Sequence, residues 1–210
     1  TPCGARTGTK TRREARAALQ SDSHVRVADS GTYFTFVPVE GQRTAGLLFF
    51  AGALVDPIAY APLMREIAAA GYPAVLVKLP RRGAFGGAEG PEVLTRGVNA
   101  TLSLPEIRKW VLAGHSRGGE VASRLAQTDA PSFAGLVLIG TSHPRDISLA
   151  NSRLPVTRIY GTRDTVADVE KLEKRLCHAC APRDAGAGQA APARGPCHLD
   201  AEANFAFRSS

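Results

Sequence analysis

Hydrophobic residues along this chain fall into short apolar runs that alternate with segments of helical periodicity. The apolar runs predict strands at residues 25–28, 33–39, 46–51, 74–79, 110–113, 136–139 and 156–160. Asp29-Ser30-Gly31 is a turn signal between the first two runs, which are therefore expected to form an antiparallel hairpin. The run at 46–51 (GLLFFA) contains no polar side chain, which is typical of a strand that is covered on both faces.

Helices are predicted between these strands, at residues 13–19, 57–70, 91–102, 118–126 and 165–176. In the second of these helices, Asp56 is the expected N-cap and Pro57 is the expected first helical residue. Gly71 is expected to terminate the helix. The expected apolar positions are Leu63, Ile67 and Ala70, then Leu94, Val98 and Leu102, then Val121, Ala122 and Leu125, then Val166, Val169, Leu172 and Leu176. Strands that alternate with helices predict an α/β fold, in which a mostly parallel sheet carries helices on both faces.

The length and composition of the chain limit the classes of protein that it can represent. With 210 residues, 44% hydrophobic and 21% charged, it is typical of a globular domain and excludes collagen, a coiled coil and wholesale disorder. Its longest apolar stretch, 45–54, is far shorter than the ~20 residues of a membrane-spanning helix, so we expect no integral span. The predicted organisation is a basic lead-in (1–20), an α/β domain (21–176) and an atypical tail (177–210).

The charge of the chain is concentrated at one end. The formal net charge is +7, and residues 1–20 account for +4 of it. Aromatic residues make up only 6%, and no motif for binding DNA or RNA is present. The basic segment is therefore interpreted as a solvated arm, and no nucleic-acid partner is expected. Because the chain begins with Thr1 rather than Met, the sequence does not indicate the cellular compartment. The protein could be cytoplasmic, or an upstream segment could export or anchor it.

The tail has a composition unlike the rest of the chain. Residues 177–210 contain ten alanines, and Leu199 is their only Leu, Ile or Val. The chain has 21 Arg against 5 Lys, which indicates GC-rich coding DNA and makes a frameshifted or divergent C-terminus one hypothesis; a natural flexible tail is the other. Cys177-His178-Ala179-Cys180 together with Cys197-His198 could also form a zinc clip, although a single C-x2-C pair is a weak signal.

The most informative motif is Gly114-His115-Ser116-Arg117-Gly118, followed by Gly119. It follows an apolar run and precedes a helical one, which is the context of a nucleophile elbow (a sharp strand-to-helix turn that exposes a catalytic serine). The flanking glycines would allow close backbone packing. The alternative interpretation is an ordinary glycine-rich turn in which Ser116 caps the helix.

The stretch 47–176 resembles the α/β-hydrolases, in particular small bacterial serine esterases and dienelactone-hydrolase-type domains. The resemblance lies in residues 50–57 (FAGALVDP), 60–63 (YAPL), 114–119 (GHSRGG) and 160–164 (YGTRD). It implies a serine hydrolase that cleaves a small-molecule carboxylic ester or thioester through an acyl-enzyme, with no cofactor and no metal. Two alternatives remain open: an acyltransferase that uses the same site, and a hydrolase scaffold without its chemistry that retains a binding role. The oligomeric state is not indicated.

The same resemblance supplies candidates for the remaining catalytic groups. In that family the catalytic residues follow the order serine, acid, histidine along the chain. Asp164 is therefore the expected acid, and Asp146 is the second candidate. The alternative role of Asp164 is to cap the helix that follows it. The expected base is His198, with His178 as the alternative. The approach to His198 lacks the final strand that the family usually has there.

Two further features complete the expected site. The N–H groups of Ala53 and Arg117 are expected to bind the oxyanion of the tetrahedral intermediate. The glycine-rich segment 81–90 could serve either as a lid over the acyl pocket or as a plain exposed connection.

Overall fold

The computed structural model describes residues 12–128, 132–141, 147–149, 152 and 154–161 of the chain. Its strands are β1 (Val25–Asp29), β2 (Tyr33–Pro38), β3 (Ala45–Phe50), β4 (Ala74–Val77), β5 (Lys109–His115), β6 (Phe133–Ile139) and β7 (Val156–Ile159). They form one sheet in the order β1-β2-β4-β3-β5-β6-β7. The pairs from β4 to β7 are parallel, whereas β1 with β2 and β2 with β4 are antiparallel. The predicted fold class is thereby confirmed, including the N-terminal hairpin.

The turn of the hairpin is stabilised by the polar residues that predicted it. Asp29 Oδ1 accepts a 2.8 Å hydrogen bond from the N–H of Gly31, and Gly31 has φ +86°. That conformation strains residues with a Cβ, which explains glycine at this position. The hairpin places β2 against β4, so it extends one edge of the parallel sheet.

Helices pack on both faces of the sheet. Residues 12–17 are helical (α1), and the other described α-helices are α2 (Ala61–Ala69), α3 (Pro91–Leu102) and α4 (Arg117–Ala126). A short 3-10 turn occurs at Pro57–Tyr60, and Pro80–Gly83 forms a tight turn in which Arg81 and Arg82 have positive φ values. Among the helices in this part of the chain, none is both long and apolar enough to cross a membrane.

Side chains of β3 alternate between two hydrophobic cores. Phe49 lies in the core that contains Met64 of α2, whereas Leu48 and Phe50 lie in the core that contains residues of α3 and α4. All three β3 side chains are fully buried. This arrangement confirms that the apolar run is covered on both faces.

The predicted second helix is divided into two parts. Asp56 caps its start as expected, since its side chain accepts from the N–H of Ile58, but Pro57–Tyr60 is a 3-10 turn and the α-helix begins at Ala61. Gly71 ends the segment with φ +93° and donates to the carbonyl of Ala68, which confirms the predicted stop.

The predicted inner face is correct for α4 and only partly correct for α2 and α3, in which Ile67 and Leu94 pack against the hydrophobic cores. Val121, Ala122 and Leu125 of α4 are buried. In α2 the buried residues are Ala61, Met64 and Ala68, and in α3 they are Val93, Gly97 and Ala100, while Leu63, Val98 and Leu102 are exposed. The spacing of the leucines therefore does not define either inner face completely. Helix α3 packs through the small residues Gly97 and Ala100, whereas α2 packs through the fully buried Met64.

Candidate active site

Ser116 occupies a strained position between β5 and α4. Strand β5 ends at His115 and α4 begins at Arg117, and Ser116 between them has φ 51° and ψ −121°. A non-glycine residue with positive φ is uncommon and costs about 1–3 kcal/mol, which persists only where the surroundings impose it. Within the described part of the chain, the hydroxyl of Ser116 makes no capping hydrogen bond to α4. The alternative role predicted for this serine, a helix cap, is therefore not what holds it here.

Neighbouring backbone holds the turn in place. The N–H of Ser116 donates to the carbonyl of Ile139 at the end of β6 (2.9 Å), and the N–H of Gly119 donates to the carbonyl of Ser116 (2.9 Å). A Cβ on Gly114 would lie 2.2 Å from the carbonyl oxygen of Gly118. The glycine therefore allows the strand and the helix to approach each other across the turn, as its position in the motif predicts.

The loop after β3 lies beside this turn. Phe50 at the end of β3 is paired in register with Gly114 of β5, so the following residues, Gly52 and Ala53, lie at the same edge of the sheet as Ser116. For the N–H groups of Ala53 and Arg117, the described part of the chain contains no hydrogen-bond acceptor. Both expected oxyanion donors thus follow adjacent parallel strands at their carboxyl ends, where ligands of open α/β sheets bind.

A buried tyrosine links the two segments. The hydroxyl of Tyr60 lies 3.0 Å from the N of Gly52 and 2.8 Å from Nδ1 of His115, the residue before Ser116. Burial raises the pKa of Tyr60 above its usual 10.0, against the opposing effect of the Gly52 N–H, so the phenol is neutral over the physiological range. Nothing in the local sequence pattern identifies Tyr60 as a partner of His115.

The segment 81–90 is attached to α4 by two arginines. The guanidinium of Arg117 pairs with Glu89 and, at 2.9 Å, with Glu120. Arg124 donates to the carbonyl of Ala88 at 2.9 Å, which adds a second attachment. These contacts hold the segment against α4 at Ala88 and Glu89, which favours a fixed connection over a lid.

The other predicted site residues lie outside the described residues. These are the acids Asp164 and Asp146, the histidines His178 and His198, and the cysteines Cys177, Cys180 and Cys197, together with the predicted helix 165–176. In the part of the chain that the structure describes, no cluster of three or more His, Cys, Asp or Glu side chains could hold a metal ion. The acid, the base and the zinc clip thus stay predictions from the sequence.

Known proteins resemble this chain in both sequence and fold. A family model for the alpha/beta hydrolase family matches residues 46–185. A candidate thioesterase from Silicibacter sp. TM1040 has a TM-score of 0.58 and 19% identity, over 85% of this chain and 84% of that one. TT1662 from Thermus thermophilus has a TM-score of 0.57 and 18% identity, over 72% and 81% of the two chains. A candidate esterase from Staphylococcus aureus has a TM-score of 0.55 and 17% identity, over 81% and 78%.

No curated protein sequence matches the chain. Since the identities to the solved structures are low, these likenesses concern the fold.

Proposed function

The chain belongs to the alpha/beta hydrolase family, and on that premise we propose that it is a serine hydrolase that cleaves a carboxylic ester or thioester through an acyl-enzyme on Ser116. The observation that carries the proposal is the strained conformation of Ser116 between β5 and α4, with a hydroxyl that caps nothing in the described part of the chain. Strain of this kind clusters at active sites.

The proposed chemistry has two halves. In the first, Oγ of Ser116 attacks the substrate carbonyl carbon while a histidine takes the hydroxyl proton. Collapse of the tetrahedral intermediate expels the alcohol or thiol, which receives that proton, and leaves an acyl-serine. In the second half, water attacks the acyl-serine with the same histidine as base, and the acid product leaves. From the family resemblance, we propose His198 as this base and Asp164 as the orienting acid.

Two backbone amides are proposed to bind the oxyanion. The N–H of Arg117 belongs to the first residue of α4, and the N–H of Ala53 lies in the loop after β3. Since neither has a partner in the described part of the chain, both are available to a negatively charged oxygen. The N-terminus of α4 adds a favourable helix dipole at the same place.

The proposed substrate class rests on the family resemblance and is compatible with this chemistry. An activated serine beside two amide donors suits a carbonyl centre with an oxygen or sulfur leaving group. Proteins of the same fold include a candidate thioesterase and a candidate esterase, which is consistent with either leaving group. Transfer of the acyl group to an alcohol would use the same residues as hydrolysis.

The proposal is tested by labelling the purified full chain with a fluorophosphonate probe, which modifies only an activated serine. We expect the wild type to be labelled and Ser116→Ala to remain unlabelled. The matched control is Ser103→Ala, because the hydroxyl of Ser103 donates to Ala100 at the end of α3 and is remote in sequence from the motif. Absence of labelling in folded wild type would contradict the proposal and favour a scaffold that lacks its chemistry.

The base and the product are tested in the same series. Loss of ester hydrolysis in His198→Ala, with retention in His178→Ala, would support His198 as the base, and the reverse result would exchange the two. With an added alcohol present, formation of a new ester in place of the free acid would identify acyl transfer.

A further inference from the structure

Tyr60 places one hydroxyl between two segments that are far apart in sequence. Its side chain is only 2% exposed and comes from the 3-10 turn Pro57–Tyr60. The hydroxyl is 3.0 Å from the N of Gly52, which precedes Ala53, and 2.8 Å from Nδ1 of His115, which precedes Ser116. One buried hydroxyl therefore contacts the residue before Ala53 and the residue before Ser116.

The donors and acceptors in this contact can be assigned from their chemistry. A backbone N–H can only donate, so the oxygen of Tyr60 accepts from Gly52. The O–H of Tyr60 then requires an acceptor of its own, because a buried hydroxyl without one is costly. Nδ1 of a neutral His115 supplies that acceptor, and the ring proton of His115 accordingly resides on Nε2.

The loop packs closely against this contact at Gly52. A Cβ added to Gly52 would lie 2.7 Å from Nδ1 of His115 and 2.9 Å from the hydroxyl of Tyr60. The ring of Tyr60 also packs against Phe49, with the ring centroids 5.0 Å apart. The hydroxyl is thus held by the core, and the loop fits closely against it.

On the basis of this geometry, we propose that Tyr60 and His115 are positioning residues for the oxyanion site. Their hydrogen bond fixes the peptide of Gly52, and through it the N–H of the next residue, Ala53, relative to Ser116. Neither side chain is assigned a contact with substrate or a share in proton transfer. The inference rests on the proposed function, because it describes how one amide of that site is kept in place.

Loss of the Tyr60 hydroxyl should therefore affect transition-state binding more than substrate binding. An oxyanion donor acts on charge that develops only during reaction, so a misplaced amide lowers kcat with little change in KM. For Tyr60→Phe we expect kcat for a p-nitrophenyl ester, and the rate of fluorophosphonate labelling, to fall about tenfold. KM should change less than about twofold. Tyr72→Phe, at a partly exposed tyrosine beside Arg43, is the matched control and should keep the parental rates.

A second pair of variants tests the acceptor without altering Tyr60. The side-chain oxygen of His115→Asn can occupy nearly the position of Nδ1 and accept from Tyr60, whereas His115→Leu has a similar size and no acceptor. We expect His115→Asn to retain most of the parental kcat and His115→Leu to lose about as much as Tyr60→Phe. Nitrogen-15 NMR of the histidine rings should show Nδ1 of His115 unprotonated at neutral pH.

The outcomes separate this inference from the function on which it rests. A parent labelled at Ser116, together with unchanged kcat in both Tyr60→Phe and His115→Leu, would overturn the positioning role alone. Equal loss in His115→Asn and His115→Leu, or a proton on Nδ1 of His115, would overturn the assigned hydrogen bond. A parent that is never labelled would overturn the proposed function and the positioning role with it.

Discussion

Gly118, in the first turn of α4, lies directly against the carbonyl group of Phe50 at the end of β3. A Cβ on Gly118 would be 2.2 Å from the carbonyl oxygen of Phe50 and 2.5 Å from that of Ala51. Both obstacles are backbone atoms, which cannot rotate away as a side chain could. The contact fixes the distance between the helix that follows Ser116 and the loop that carries Ala53.

Replacing Gly118 with Ala should therefore disturb both stability and chemistry. We expect Gly118→Ala to destabilise the fold by about 3 kcal/mol, at the upper end of overpacking effects, and to reduce fluorophosphonate labelling strongly. Gly135→Ala is the matched control, because its nearest new contact would be an ordinary 3.5 Å to the carbonyl oxygen of Pro155. Urea unfolding and the labelling rate of the two variants measure the difference, and equal behaviour would contradict the close contact.

The strain at Ser116 predicts an unusual order of stability among variants. Ser116→Gly and Ser116→Ala both remove the hydroxyl, but only glycine adopts φ 51°, ψ −121° without a Cβ penalty. Relief of about 1–3 kcal/mol of strain should outweigh the extra backbone entropy that glycine loses, about 0.5–1 kcal/mol. We expect Ser116→Gly to be the more stable variant by about 1 kcal/mol in thermal unfolding. If Ser116→Ala proved equally or more stable, the turn would not be strained.

Asp22 should make the stability of the N-terminal region dependent on pH. The N–H groups of Val25 and His24 and the guanidinium of Arg65 lower the pKa of Asp22 from 3.8 to about 2. Since the folded state lowers this pKa, the stabilisation is complete above about pH 5 and is lost as the pH falls towards about 2. We expect Asp22→Asn to lower Tm at pH 7 and to match the wild type increasingly closely between about pH 4 and 2. A Tm difference that stays constant with pH would contradict the contact.

The strands and the turn at Ser116 could be predicted because their signals are local. A run such as residues 46–51 is buried on both faces wherever it lies in the sheet, and Gly114, Ser116 and Gly118 fall at fixed positions along a strand-to-helix turn. The contact of Tyr60 with His115 spans 55 residues and depends on the sheet order, in which β3 lies beside β5. No local pattern contains that information, so the sequence alone does not pair Tyr60 with His115.

The segment 81–90 shows a different limit. Arg81 and Arg82 have φ values of 48° and 53°, which their residue types do not favour. The N–H of Leu54 donates to the carbonyl of Arg82 at 2.8 Å, and Gly83 lies against Ala53. The conformation is imposed by the neighbouring loop, so the glycines indicated a loop without indicating its shape.

The inner face of α3 provides the last prediction, because it reverses what side-chain size suggests. A Cβ on Gly97 would lie 2.8 Å from Cζ of the fully buried Phe50 and 3.3 Å from Cδ2 of Leu125, whereas Val98 is 43% exposed. Alanine gains up to about 1 kcal/mol over glycine in helix propensity, but overpacking against an immobile ring costs about 1–3 kcal/mol.

We therefore expect Gly97→Ala to destabilise the fold by about 1–2 kcal/mol in urea unfolding. The neighbouring variant Val98→Ala should stay within about 0.5 kcal/mol of the wild type, although it removes the larger apolar side chain. The opposite order would mean that α3 presents Val98 to the sheet, as the spacing of Leu94, Val98 and Leu102 had indicated. The predicted order would instead establish that a glycine determines how closely α3 approaches Phe50, the last residue of β3.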